Sequence, residues 1–377
     1  MPTPRQEHQD PADAYFLDKQ RSGKTGFIRY DFDRIRSFSS RSSFFDAEQK
    51  QVLRESGMVP SSIHFDEYLN SVKNKLLVET SWASSVLEGN TYSLVDTAEL
   101  IERSIPASSA SAEDTLMILN HKQAIGYVVE HIKDISLSKQ DILNVHALLA
   151  NGLMKDPADV GRLRQKPVGI GKSDYMPLDI PHTIYEEFDA LISEANQICD
   201  PFDQSFFLLA NIAYLQAFND VNKRTSRVIA NIPLLKASVM PVSFYQISKA
   251  GYEKGILHYY ETGDFRRLAK EYVQSYVVSS ARFKDSLENR PSADELLFRV
   301  KHRDLIALIV ESVVKNGVSV NALIPHDLDD RDKAFLSDHV VQVITGLNEG
   351  NALLYRLSAG DIESYRADAS CRKQRNR

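Results

Sequence analysis

From His64 onward the chain repeats apolar residues at helical spacing. The stretch "FDEYLNSVKNKLLVETSWASSVLEGN" follows the i, i+3, i+4 pattern and stops at Gly89-Asn90, residues suited to a helix C-terminus. Ser93 in "SLVD" has the character of a fresh N-cap, with an acid three positions on. "EDTLMILNHKQAIGYVVEHI" is amphipathic, and Ser138 caps "KQDILNVHALLANGL" with Asp141 at the third position. Helical patterns continue through "HTIYEEFDALISEANQI", "DQSFFLLANIAYLQAF", "KAGYEKGILHYYETGD" and "FRRLAKEYVQSYVVSSARF". "GRLRQKPVGIGKSDYMPL" breaks the period: Pro167, Gly169, Gly171 and Pro177 punctuate short apolar pieces and predict a loop with a short hairpin around "GIGKSDY". The fold class is therefore mainly α.

Residues 1–60 are polar and Ser-rich around "RSFSSRSSFF" and read as extended, partly ordered, or wrapping on a neighbour. A boundary is expected near "ENRPSADE". Beyond it, "ELLFRVKHRDLIALIVESVVKNG" and "RDKAFLSDHVVQVITGLNEG" predict helices and "NALLYRLS" a strand. That order suggests a winged-helix module, with a plain helical tail as the alternative.

At 377 residues the chain is long enough for two or three domains. Its net charge of −6 argues against a general nucleic-acid binder. Cys199 and Cys371 lie far apart, with no disulfide framework or CxxC metal knuckle, so a reducing compartment is expected. The N-terminal residues hold no apolar core of a signal peptide, and no apolar run is long enough to span a bilayer. A cytoplasmic protein is the expectation. "GIGKS" does not make a P-loop, because Lys166 stands where the pattern needs its first Gly. The histidines show no zincin spacing; His121, His131, His146 and His258 read as helix-surface or core-edge residues.

The chemistry concentrates in "QAFNDVNKRTSR", residues 216–227, between two apolar runs. A loop feeding a helix N-terminus presents backbone N–H groups and favours anions. Arg224 and Arg227, three apart, share one helix face and suit a polyphosphate; Asp220 could hold a Mg²⁺ that bridges it. The residues alone leave two readings, a phosphate loop and a solvated polar turn, with phosphate favoured.

These residues resemble the Fic/Doc (Fido) family motif H-x-F-x-[D/N]-G-N-G-R-x-x-R. Phe218, Asp220, Asn222, Arg224 and Arg227 match, while Gln216 replaces the His and Val221 and Lys223 replace the glycines. "SSVLEGN" resembles the family's inhibitory helix signature, with Ser84, Glu88 and Gly89 in its places. "GRLR" and "VGIGKSDYMP" resemble the G-x-[FY]-R segment and the target-positioning flap, and "NHKQAIGYV" the first core helix. The resemblance covers roughly residues 65–285. It implies a Fido-type helical bundle: a helical N-terminal region over 61–110 carrying the inhibitory motif at 84–90, a catalytic core over 111–285, and a further module over 290–377.

The resemblance implies ATP and Mg²⁺ as ligands and AMP transfer to a hydroxyl of a target protein. Asp220 would bind metal. Val221, Asn222, Lys223, Arg224 and Arg227 would bind phosphates, and Tyr252 is the candidate for the purine. Glu88 would pair with Arg227 and restrain activity. Gln216 stands in the general-base position without usable basicity. Lys223 resembles the Doc-type variant, which transfers phosphate, so phosphotransfer and nucleotide binding without catalysis are the alternatives. A homodimer, and DNA or protein contact through the C-terminal module, stand open as partners; no membrane is expected.

Overall fold

The structure, a computed structural model, describes residues 10–22, 26–36, 43–288 and 293–366. The chain divides into two units, residues 1–290 and 291–377.

The first unit is mainly helical. Its elements are α1 (Pro11–Ser22), β1 (Ile28–Arg29), α2 (Asp33–Arg36), α3 (Ala47–Gly57), α4 (Phe65–Leu87), α5 (Leu94–Arg103), α6 (Ala112–Glu130), α7 (Lys139–Ala150), β2 (Tyr175–Met176), α8 (Pro181–Gln197), α9 (Pro201–Leu215), α10 (Asn222–Ile229), α11 (Asn231–Lys236), α12 (Lys249–Thr262) and α13 (Arg266–Glu288). The sequence caps are in place: Ser93 Oγ accepts from Asp96 N, and Ser138 and Asp141 form a reciprocal capping box. Helix α9 is apolar on every face and is correspondingly buried, packed among α8, α10, α11 and α12. It starts with Asp200 bonding two backbone N–H groups and Pro201 at its first position.

The flap departs from a self-paired hairpin. Its backbone turns at Lys172 (φ 66), but its strand residues Tyr175 and Met176 pair in parallel with Ile28 and Arg29. The first limb is poorly equipped to pair, because Pro167 has no N–H and two glycines interrupt it. The N-terminal residues are correspondingly part of the unit. Tyr30, Ile35, Phe44, Phe45 and Leu53 are all buried in its core. One carboxylate gathers this region: Glu261, whose side chain is fully buried, accepts from Tyr15 Oη (2.8 Å), Lys19 Nζ (2.7 Å), Ser173 Oγ (2.7 Å) and Asp174 N (3.0 Å). Lys19 also reaches Asp174 at 3.0 Å. Four partners and one charge keep the buried carboxylate satisfied.

The second unit holds α14 (Ala293–Lys301), α15 (Arg303–Asn316), α16 (Val320–Leu323) and α17 (Asp330–Thr345) around a small core with Ile309, Val310, Leu336 and Val340. "NALLYRLS" is not a strand: Ala352–Tyr355 form a 3-10 turn, and no strand occurs among the described residues of this unit. Leu353 and Leu354 stand exposed there, so the apolar run that suggested a strand has no sheet to join. Among the described residues of the chain, no helix is long and apolar enough to cross a membrane.

Candidate nucleotide site

Helix α9 ends at Gln216, which adopts the left-handed conformation (φ 51) and turns the chain out of the core. Six residues later α10 begins. Buried Arg164 holds the exit, its Nε donating to Gln216 O at 2.6 Å and its guanidinium also reaching the carbonyls of Lys166 and Leu178. It thereby ties the "GRLR" segment and the flap limb to the loop.

Asn222 braces the loop from inside. Its Oδ1 accepts Phe218 N–H at 2.9 Å, and its Nδ2 donates to Phe218 O at 2.8 Å and Gln216 Oε1 at 3.1 Å. Val221 lies at φ 65, a costly conformation for a β-branched residue, about 1–3 kcal/mol, yet its side chain is buried and anchors the turn. Lys223 is already inside α10 and has no positive φ. The two positions that resemble family glycines are thus unequal: only the first demands a glycine-like backbone.

A histidine that the spacing leaves as ordinary sits directly under this loop. His146 stacks on Phe218 with ring centroids 3.8 Å apart. Its Nδ1 accepts Gly161 N–H at 3.0 Å, so Nε2 carries the proton and donates to Asp220 O at 3.3 Å. Burial pushes its pKa down to about 4, so it is a neutral strut. The helical stripe Ile142, Val145, His146, Leu149 was the available signal, since it places His146 on the buried face.

Arg227 is wholly buried and makes a network with the end of α4. Its Nε donates to Ser84 Oγ (2.8 Å), Nη2 to Ser84 O (3.0 Å) and Glu88 Oε1 (2.6 Å), and Nη1 to Tyr252 Oη (3.4 Å). The Ser84 hydroxyl in turn donates to His121 Nε2 (2.8 Å), whose Nδ1 donates to Met117 O (2.9 Å). Burial lowers the His121 pKa to about 3, so this ring is also neutral. The second Glu88 oxygen meets Lys223 Nζ at 2.9 Å. Burial alone would raise the Glu88 pKa, but the charges of Arg227 and Lys223 bring it down to about 2.

A cavity of about 400 Å³ opens beside this network, within the range of small-molecule sites. Glu88, Lys223 and Gln216 line one side, Gly169–Lys172 of the flap another, and Tyr252, Ile256 and Tyr260 of α12 a third. Asp220, Arg224 and Arg227 are not among its lining residues. Asp220 is largely exposed, its Oδ1 on Val221 N at 2.6 Å and its Oδ2 3.5 Å from Arg224 Nη2. Arg224 Nη1 is buried without a hydrogen-bond partner among the described residues.

Residues 136–234 match the model of the Fic/DOC family. Over that stretch the chain is similar to the Fic/DOC family. Curated relatives include protein adenylyltransferase fic-1 of Caenorhabditis elegans, 24% identical over 219 residues, covering 56% of this chain and 41% of the relative. Protein adenylyltransferase Fic of Nematostella vectensis is 27% identical over 165 residues, covering 42% of this chain and 38% of the relative. The chain thus spans about two fifths of the length of these relatives. Two solved structures share the fold. A Fic domain containing signaling protein from Bacteroides thetaiotaomicron has a TM-score of 0.52 at 16% identity, covering 65% of this chain and 97% of that one. A fragment of Fic-1 from C. elegans gives 0.51 at 17%, covering 74% and 78%.

The Fic/DOC residues predicted from sequence are brought together around α10, with Ser84 and Glu88 delivered by α4 and Tyr252 by α12. Gly89 ends α4 at φ 102. The depressed Glu88 pKa carries a sign. The carboxylate contributes its full stabilisation above its ordinary pKa, and the contribution is lost as pH falls from there through about 2. Glu88→Gln should therefore be roughly 3 kcal/mol less stable than the parent at pH 7, and the gap should close on acidification from pH 5 to pH 2, as read by urea denaturation. A gap independent of pH would refute the charge pairing.

Proposed function

We propose that the chain binds ATP at the α9–α10 loop and transfers AMP to a hydroxyl side chain of a target protein, with Glu88 restraining the transfer. The observation that carries this reading is the guanidinium pair of α10. Arg227 is buried and neutralised by the Glu88 carboxylate from the C-terminus of α4, and Arg224 keeps a buried N–H to spare. Both are what an incoming polyphosphate would take up. Backbone N–H groups from Asn222 to Arg224 begin a helix and add to the cradle, while that of Val221 is taken by Asp220 Oδ1. The flap and Tyr252 would bound the nucleotide's other end.

Mg²⁺ fits this donor set in a limited sense. Among the described residues no three His, Cys, Asp or Glu side chains group to hold a metal. Asp220 alone would hold the ion, and Mg²⁺ accepts one carboxylate when phosphates and water complete its shell. It would neutralise phosphate charge. In the transfer, the target oxygen bonds the α-phosphorus, the α–β bridging bond breaks, pyrophosphate leaves, and the hydroxyl proton goes to solvent. Gln216 cannot take that proton, so the rate should be low.

That same residue favours a second reading, nucleotide binding without transfer. Its amide is occupied at both ends, Nε2 on Ala213 O at 2.7 Å and Oε1 under Asn222. Labelled ATP separates the readings: AMP transfer deposits α-label on a protein, a Doc-like phosphotransfer deposits γ-label, and pure binding deposits neither. Arg224→Ala should weaken ATP binding at least about tenfold by calorimetry, the worth of one charge-assisted contact. Unchanged affinity would remove phosphates from this loop. A protein target is the partner this function requires, in a cytoplasmic setting.

A further inference from the structure

We propose that Lys223 is a phosphate-reading residue held in reserve by Glu88: its ammonium grips one Glu88 oxygen in the resting chain and passes to an outer phosphate of a nucleoside triphosphate when Glu88 moves away. This rests on the nucleotide reading above and adds its regulation and its preference for phosphate number.

Three observations carry it. Of the three cations in the loop, Lys223 alone borders the cavity, beside Glu88. Arg227 is fully covered and the Arg224 side chain is 9% exposed, whereas that of Lys223 is 40% exposed. Of these three, Lys223 is therefore the first that an entering anion meets, with Lys172 and Lys249 also on the cavity wall. Next, the Glu88 carboxylate is divided: Oε1 belongs to Arg227 at 2.6 Å and Oε2 to Lys223 at 2.9 Å. Two cations share one anion, so neither has the carboxylate to itself. Finally, no backbone demand explains a lysine here, since residue 223 lies at an ordinary helical position. Its flexible four-carbon stem can move the ammonium from carboxylate to phosphate without backbone motion. A phosphate oxygen offers the same acceptor chemistry as the carboxylate it displaces. A monophosphate, held deeper by the loop, would leave Lys223 without a partner.

The two roles oppose each other in the parent protein and separate when Glu88 is removed. The test is calorimetric titration of ATP and of AMP, with Mg²⁺, into the parent, Lys223→Gln, Glu88→Gly and the double variant. In the Glu88→Gly background, Lys223→Gln should weaken ATP about tenfold and AMP less than about twofold. In the parent background the same change should shift ATP affinity by less than about threefold, because loss of the grip on Glu88 offsets loss of the phosphate contact. Lys223→Arg in the Glu88→Gly background should keep ATP affinity within about threefold, since the charge is retained. An equal loss in both backgrounds would show that Lys223 does not hold Glu88. No loss in the Glu88→Gly background would show that it does not meet phosphate. Either result overturns the proposal while leaving the nucleotide site intact. Failure of ATP to bind the Glu88→Gly protein at all would overturn the nucleotide reading and this one with it.

Discussion

Gln216→His, placed in a Glu88→Gly background, should raise AMP transfer by about 10²- to 10⁴-fold, the usual worth of a general base. The position is right and the chemistry is wrong. Residue 216 borders the cavity between the flap and α10, where a target hydroxyl would have to sit. Its present amide is neutral and already bonded to Ala213 O and Asn222. An imidazole would titrate near neutral pH and could accept the hydroxyl proton. The left-handed backbone at 216 is no obstacle, since histidine is among the residues that tolerate it. No nearby histidine can already be acting: His146 is buried, neutral, and committed through both ring nitrogens. The check is initial-rate incorporation of α-label from ATP into protein, with and without the substitution. A histidine variant no faster than its parent would mean that the acceptor hydroxyl does not approach residue 216.

Glu88→Gly should act in two directions at once. Without ligand the protein should lose about 3 kcal/mol or more, because Arg227 is left as a buried charge with only Ser84 and Tyr252 to satisfy it. With ATP and Mg²⁺ much of that loss should return, since phosphate would replace the carboxylate on Arg227. The thermal shift on adding ATP should therefore be larger in the variant than in the parent, and AMP transfer should rise with it. Melting curves with and without ATP decide the matter. Equal shifts in both proteins would mean that Glu88 and the nucleotide do not compete.

Much of this site could be read from residue order alone, because its parts are short-range. The loop residues Asp220, Asn222, Arg224 and Arg227 lie within one turn and one helix start, and Ser84 and Glu88 share a face of α4. The helices around them announced themselves through apolar periodicity and through caps such as Ser93 and Ser138. What was hidden depends on long-range encounters. Lys223 and Glu88 are far apart in sequence, and nothing in either segment indicates that one carboxylate serves two cations. His146 and His121 read as helix-surface or core-edge residues, and each is a neutral buried support because of what packs against it. The N-terminal residues looked polar on average, but a few anchors such as Ile35 and Leu53 suffice to seat them. The parallel pairing of Ile28–Arg29 with Tyr175–Met176 leaves no local signature, since each strand is two residues long.

The gathering of partners around Glu261 bears on where this protein can be cut. A natural place to trim would be the polar run before α3, treating everything ahead of it as a dispensable leader. Such a shortened chain would keep every residue of the 216–227 loop and would still lose Tyr15, Lys19 and the strand that pairs with the flap. Glu261 would then lose two of its four partners and its counter-charge, keeping only Ser173 and the Asp174 amide. The flap would be freed at its base and the cavity would lose a wall. A piece of this chain meant to work as the whole does should therefore keep the residues from Asp10 onward, far upstream of the 216–227 loop.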